Sequence, residues 1–555
     1  MSGIGQTTTT PERTGTQILL SLAGALPAEI STRPLLGMLG VALGAMIGTI
    51  NGRLLSVGLP DIRGAMGLGQ DEASWMSTIL NMGMMFIGPF SVFLGGLLGA
   101  RKVLLLCATI LICVSVILPF APNLPVLLVL EAIAGITAGS FYPLAMSFIL
   151  RNLPIRYAIF AIAMYAAAID FSTNFATSLH AWYMLHLSWH WDFWTTALLT
   201  PVMMWLVHEG IPPAVPPATK GPRPSWVAFL YASLGLAFLY GALDQGERVD
   251  WLNSGTFVAM LSVAAFLLTV TVVRRLRMPN PLVDLPFLRQ QNTLLMAGVL
   301  TIFRFVLLTT IILIPQYLGA IRGLRPEQIG ATLLWVALPQ LPLALLTALF
   351  LRRVDSRLPL AVGFFLVAIA CLMNSRLSSS WGRNDFVAPQ IVMAFGQSMA
   401  FTSVVANWIM QSFKTGALGK PQWILTFAAF IHTIRIFGGE CGVSLMNHFL
   451  SVREKLHSNL IGLHIDTGSW IVQQRLSWLA AGVSPDSSGA DDASARAVGL
   501  LALQVRQQAL TQALIDGFVL SAWAVLLCLF LILCLQRTPI TYGDLDAVPG
   551  RPASA

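Results

Sequence analysis

Charge is the scarcest property of this sequence. Only 10% of its 555 residues are Asp, Glu, Lys or Arg, where a soluble domain carries about 25%. With 56% hydrophobic residues and a mean hydropathy of +0.74, most of the apolar surface must face lipid, which excludes a water-covered globule. Cysteine is sparse too. Cys107, Cys113, Cys371, Cys441, Cys528 and Cys534 all lie inside apolar runs without C-x-x-C spacing, so they read as small buried hydrophobes that form neither disulfides nor a metal site. A Walker loop, a nucleophile–base pair and a metal-ligand set are also missing, which argues against an enzyme and against any cofactor. The net charge of +8 is spread singly between apolar runs and forms no stripe, so no nucleic acid is expected as a partner. The N-terminal run Ile18–Leu26 is too short to cross a bilayer and Glu29 follows it. No cleavable signal peptide is read there, and the first true span is expected to act as the insertion signal.

What the chain does have is long apolar runs. A hydrocarbon core of about 30 Å needs roughly 20 apolar helical residues, and runs of that kind fall near 35–58, 72–98, 103–121, 125–150, 157–180, 191–208, 225–243, 255–273, 292–318, 328–351, 358–375, 386–411, 422–449 and 515–536. Backbone groups in lipid must pair within the segment, and these runs are too long and too uniform for barrel strands. The expected fold class is an all-α polytopic membrane protein with fourteen transmembrane helices.

Loop charges orient the chain. With the N-terminus cytoplasmic, the same side receives Arg101/Lys102, Arg151/Arg156, Lys220/Arg223, Arg274/Arg275/Arg277/Arg289, Arg352/Arg353/Arg357, Lys414/Lys420 and Arg537. The opposite gaps are acidic or mixed, as in Asp61/Arg63/Asp71/Glu72, Asp192 and Asp244/Glu247/Arg248/Asp250, although Arg322/Arg325 and Arg376/Arg383 run against the trend. Both termini are therefore expected in the cytoplasm of a bacterium, with the body in the inner membrane. The domain reading is a cytoplasmic segment 1–33, a six-helix bundle 34–208, a linker with two extra helices 209–290, a second six-helix bundle 291–536 that includes an outer loop 451–514, and a tail 537–555. Gly210–Trp226 is Pro-rich and reads as a semi-rigid linker. The outer loop carries helical stretches near Gly468–Ala481 and Ala495–Ala513 around a polar Ser484–Ser494, and it is too short to be a comfortable independent domain.

Several passages carry a family resemblance. These are Val57–Pro60 (VGLP), Glu131–Pro143 (EAIAGITAGSFYP) with Gly135, Gly139 and Pro143 in place, Trp189–Trp194 (WHWDFW), Leu243–Ser254 (LDQGERVDWLNS), Asn280–Asn292 (NPLVDLPFLRQQN), Pro315–Leu318 (PQYL) and Arg435–Gly442 (RIFGGECG). Their order resembles the major facilitator superfamily, specifically the fourteen-span drug:proton antiporters of the EmrB/QacA type. The loop opening at Arg453–His457 and closing at Gln508–Asp516 resembles the EmrB branch. The resemblance implies two six-helix bundles plus two extra helices and proton-coupled multidrug efflux. It also implies a periplasmic adaptor of the EmrA membrane-fusion type and an outer-membrane channel as partners. Four departures stand out. Asn51 and Arg53 occupy the region where the first span usually has an acid, and Glu131 replaces the fourth-span arginine. Gly99 and Ala100 precede Arg101–Lys102 without the usual Asp, and Asp170–His180 (DFSTNFATSLH) lacks the fifth-span G-P-x-x-G-G pattern.

The charges inside the spans are therefore reasoned about one by one. A lone ionised side chain at the bilayer centre costs about 2.5–3.5 kcal/mol on insertion scales, so such groups face a cavity or one another. Asp170, near the middle of span five with Asn174 one turn on, is the first choice as proton carrier; an acid bonded at a helix contact is the other reading. Arg53 and Glu131 lie at nearly equal depth at about 1.5 Å per residue, so they are expected to pair, either as a breakable cavity pair or as a permanent clasp. Glu440 is a third proton-coupling candidate, with a purely structural role as the other reading. Arg304 and Arg435 complete the set of cavity charges, and Arg304 is a candidate partner for Glu440. Asp244 and Asp516 read as border residues, and His180, His186 and His190 as interface histidines rather than metal ligands. Met76, Met82, Met84 and Met85, with Asn81 and Phe86, give span two an adaptable apolar face. Asn51, Asn81, Met82, Met85, Tyr142, Tyr165, Phe171, Asn174 and His432 are the candidate substrate contacts.

The expected partners are a small amphipathic substrate, protons and membrane lipids, with the sign of the substrate's charge open. Competing readings are an exporter or importer of an endogenous lipid or metabolite, and an uncoupled membrane scaffold or sensor on the same fold.

Overall fold

A computed structural model describes residues 31–213, 226–277, 289–414, 421–466, 468–483, 489–537 and 541–544. The N-terminal segment through Ile30, most of the Pro-rich linker, Asn280–Leu288, Lys420 and the end of the tail lie outside these residues. Among the described residues there is no strand.

The first half runs α1 (Pro34–Met66), α2 (Gln70–Leu98), α3 (Ala100–Ile117), α4 (Leu124–Gly139), α5 (Phe141–Arg151), α6 (Ile155–His186), α7 (Trp191–Gly210), α8 (Trp226–Gly246) and α9 (Gly255–Arg277). The second runs α10 (Gln291–Val306), α11 (Pro326–Ala337), α12 (Gln340–Leu351), α13 (Arg357–Asn374), α14 (Val387–Lys414), α15 (Pro421–Gly462), α16 (Trp470–Val483) and α17 (Ala490–Leu533). Helices thus fall on every apolar run. The fourth run breaks between α4 and α5 at Ser140, the tenth breaks at Leu338–Pro339, and the ninth continues past α10 through two π-helical turns, Thr309–Leu313 and Tyr317–Ile321.

Among the described residues nine helical segments are long and apolar enough to span a membrane on their own. The runs at α2, α7, α8, α14 and α15 are not among those nine, and two of them carry several buried polar side chains: Gln390, Gln397 and Asn407 in α14, and His432, Arg435 and Glu440 in α15. Those side chains of α14 and α15 point into the interior of the molecule.

Close helix crossings depend on glycine. A Cβ on Gly135 of α4 would lie 2.0 Å from the Leu80 carbonyl oxygen of α2, and one on Gly210 of α7 would lie 2.1 Å from the Gly37 nitrogen of α1. The two halves meet where α2 and α5 pack on α15 and where α6 packs on α11, α12 and α14. The extra pair is peripheral: α8 leans on α2, α9 leans on α8, and the Gly255–Arg274 stretch is only 17% buried.

Two expectations need correction. Cys113 and Cys534 are exposed rather than buried, on apolar helices where a thiol is tolerated against lipid. Helices α15 and α17 also do not stop at the ends of their apolar runs, because nothing in Ser451–Ile461 or Ala490–Leu514 breaks a helix apart from Gly499. Their 42 and 44 residues correspond to roughly 60 Å or more at about 1.5 Å per residue, well beyond a bilayer. The extensions are clasped by Arg453 Nε and His457 Nε2, each 2.6 Å from Asp516, and by Arg506 Nε, 2.8 Å from Glu454. Asp516 is therefore the anchor of the outer hairpin.

Candidate central cavity

Between the two halves, α1, α5, α6, α10 and α15 bring the intramembrane charges together around Tyr142. The Tyr142 hydroxyl hydrogen-bonds the Thr49 hydroxyl at 2.8 Å, and the Arg435 guanidinium lies 3.7 Å over its ring. The missing side chain of Gly48 makes room for that ring, which a Cβ would approach to 3.0 Å. His432 stands beside Tyr142 with ring centroids 5.7 Å apart, and its Nε2–H donates to the Met84 carbonyl at 3.0 Å. Arg304 lies across Gly439, 3.1 Å from where a Cβ would be.

Electrostatically, Arg304 interacts with Asp170, Arg435, Arg53 and Tyr142, while Tyr165 feels Arg435 and Arg304. No ion pair closer than 4 Å joins these groups among the described residues. Arg53 Nε, Arg304 Nε, Arg435 Nε, Asp170 Oδ1 and Asn174 Oδ1 are buried without a hydrogen-bond partner. Buried polar atoms are normally paired, so this concentration of orphan donors and acceptors sets the cluster apart as a candidate site. Tyr142→Phe keeps the ring under Arg435 and loses one hydrogen bond, at a cost of about 1 kcal/mol. Tyr142→Ala loses the whole ring and is expected to cost about 3–5 kcal/mol, read by thermal unfolding of the purified protein.

Other candidates are placed differently. Arg53 and Glu131 do not pair: Arg53 acts on Arg304, and Glu131 Oε1 is buried alone, one turn from Gly135 on the side of α4 that meets α2. Equal depth placed them at one level, but the rotation of each helix sends their side chains apart. Glu440 accepts a 2.6 Å hydrogen bond from the Tyr240 hydroxyl and shares a side-chain contact with Asp244, which also takes the Thr78 hydroxyl. Arg304 is therefore not its partner, and Asp244 is part of a buried polar knot among α2, α8 and α15. Asn51 accepts from Thr196 at 3.1 Å, and Asn174 reaches Gln397 of α14 at 3.4 Å. Met82 packs against Gly241 of α8 and Met84 against Gly139 of α4, while Met85 is fully buried and Asn81 half-buried. Phe171 stacks on Phe175 at 4.8 Å. His186 and His190 bond Trp182 and Ser188 nearby. His180 is instead held between two carboxyl groups, Asp61 and Asp192, an arrangement no local spacing reveals. No three-ligand metal cluster occurs among the described residues.

An all-helical body of membrane-spanning segments, with a cluster of charged groups buried where its halves meet, is the architecture of a multi-pass membrane transporter. The chain belongs to the Major Facilitator Superfamily, whose pattern matches residues 41–432. It is 23% identical over 87% of its length to 93% of the "Colistin resistance protein EmrB" of Acinetobacter baumannii. It is 22% identical over 77% of its length to 83% of the "Fatty acid resistance protein FarB" of Neisseria gonorrhoeae, and 20% identical over 76% to 80% of the "Multidrug export protein EmrB" of Escherichia coli K12. Its fold resembles that of the proton:xylose symporter XylE with a TM-score of 0.53 at 12% identity, covering 93% of this chain and 99% of that one.

Proposed function

We propose that this transporter is a proton-coupled exporter of amphipathic compounds bearing an anionic head group. The observation that carries this reading is the charge balance of the cavity. Arg53, Arg304 and Arg435 converge there, whereas Glu440 is engaged at the α8 contact. Even with Asp170 and Glu131 both ionised, three guanidinium groups face two carboxylates. A cationic drug would meet a net positive site, and a carboxylate or sulfonate would find unpartnered N–H groups. The relative named for fatty acid resistance fits a substrate of that chemistry.

An apolar groove of about 370 Å³ is lined by Leu39, Met46, Phe160, Met164, Phe171 and Leu345. It supplies a path for the tail from the lipid, and its Phe171 adjoins Asp170 in sequence. Asp170 is the proton carrier in this scheme, since it is buried and electrostatically linked to Arg304. Ionised Asp170 and a bound anion compete for Arg304, which couples the protonation of Asp170 to occupancy of the site. With fourteen crossings and both termini in the cytoplasm, Asp61 and the α15–α16–α17 hairpin face the periplasm, and Asp192 lies buried at the same end. On that hairpin Trp470 and Trp478 are 69% and 61% exposed, a surface suited to a periplasmic adaptor of a tripartite system with an outer-membrane channel.

The test is accumulation and susceptibility in an efflux-deficient host. Cells making the protein should exclude a sulfonated amphiphile, and Arg304→Gln should weaken its binding to purified protein by about tenfold to a hundredfold, because a hydrogen bond to a charged group is worth about 1.5–3 kcal/mol. A cationic probe that binds equally well before and after the substitution is compatible with the reading. An anionic probe that ignores the substitution contradicts it.

A further inference from the structure

The Asp61–His180–Asp192 cluster lies in the first half, away from the cavity. His180 Nδ1 is 3.0 and 3.1 Å from the two Asp192 carboxylate oxygens, and Nε2 is 3.1 Å from Asp61 Oδ2. The side chains of His180 and Asp192 are wholly buried, while that of Asp61 is 41% exposed. Gly58 permits the arrangement, because a Cβ there would fall 2.4 Å from Asp192 Oδ2. The charged groups facing His180 are Asp61 from α1 and Asp192 from α7, and Asp192 also acts on Tyr183 of the same helix as His180. Each ring nitrogen addresses a different carboxyl group, which is the geometry of a proton relay and leaves no common point for a metal.

Below the cluster the polar column continues. One turn on from Asp192, Thr196 donates to Asn51 at 3.1 Å, and Thr200 follows a further turn on. Thr177, Thr196, Thr200 and Asn51 are all buried. A structural clasp needs only one carboxylate per imidazole. Here an accessible acid stands on one side of a sealed imidazole and an inaccessible acid on the other, with hydroxyl groups leading inward.

We propose that Asp61, His180 and Asp192 form a proton-loading relay that collects protons at the outer surface for the transport cycle. The inference rests on the proton-coupled reading above. A proton on Asp61 passes to His180 Nε2, and the imidazolium releases its Nδ1 proton to Asp192, so that one proton enters the buried side for each one taken from the surface. The neutral ring then carries its proton on Nε2, and it resets by turning and exchanging protons with the flanking carboxyl groups before the next transfer. These three are positioning and relay residues and do not touch substrate.

The test uses the full chain in proteoliposomes, with a sulfonated amphiphile and an imposed proton gradient. A proton collector matters most when protons are scarce. His180→Gln should therefore lower the initial rate by about tenfold or more in an alkaline outer medium and by far less in an acidic one, with the affinity for the amphiphile unchanged. Asp61→Asn, at a half-exposed position, should give the same pH-selective loss and keeps the test decisive if His180→Gln does not fold. A loss by one common factor at every pH, or no loss, overturns the relay and leaves proton coupling intact. Unsubstituted protein whose rate ignores the imposed gradient overturns proton coupling and the relay together.

Discussion

Asp170→Asn should abolish uphill export while leaving substrate binding close to that of the unsubstituted protein. Asp170 is 1% exposed, and its Oδ1 has no hydrogen-bond partner, so the isosteric amide loses little packing. What it loses is the ability to alternate between charged and neutral forms. Each proton moved across 100 mV supplies about 2.3 kcal/mol, equivalent to a factor of about 50 in the gradient a carrier sustains at about 1.4 kcal/mol per tenfold. Accumulation of an amphiphile in an efflux-deficient host reads this directly. Cells carrying the variant should accumulate it as cells without the protein do, and equilibrium binding to the purified variant should change by less than about tenfold. Export that survives Asp170→Asn and still moves charge would remove Asp170 from the carrier role.

Gly135→Val should prevent recovery of folded protein. Even the first carbon of the new side chain would sit 2.0 Å from the Leu80 carbonyl oxygen, a contact with backbone that no rotamer change relieves. Helices α2 and α4 would have to separate, and α2 also contacts α15 and α8. Overpacking commonly costs about 1–3 kcal/mol, and the clash here lies at the severe end because it disturbs three interfaces at once. Gly44→Ala is the control: its nearest new neighbour would be Phe141 Cβ at 3.6 Å, ordinary contact distance, so its cost should stay within about 1 kcal/mol. Size-exclusion profiles and thermal unfolding of the two variants separate these outcomes.

Hydrophobic length located the helices well, because the need for backbone pairing in lipid leaves few alternatives. It located helix ends poorly where a helix continues into water. Arg453, Glu454 and Lys455 end the apolar run of α15 yet favour helix, so the chain stays helical to Gly462. Composition also exposed the buried charges, since each was an exception to its surroundings. Their partners were not legible. Rise per residue gives the depth of Arg53 and Glu131, but their separation depends on the rotation of α1 and α4, which is set by Gly52 against Met84 and by Gly135 against Leu80. Asp244 looked like a border residue because charges cluster around it at Glu247, Arg248 and Asp250. Only the packing of α8 on α2 and α15 carries it to Thr78 and Glu440. His180 and Asp61 are 119 positions apart, so their meeting is a property of the bundle alone.

The central claim is that a proton gradient drives an anionic amphiphile through the Arg53–Arg304–Arg435 cavity. Its most direct test is transport of a sulfonated fluorescent amphiphile by the purified protein in liposomes, since a fixed charge cannot redistribute passively with pH. Imposing a proton gradient should produce uphill accumulation that disappears when a proton ionophore collapses the gradient. Accumulation that persists unchanged with the ionophore, or that never rises above equilibration, would contradict the account.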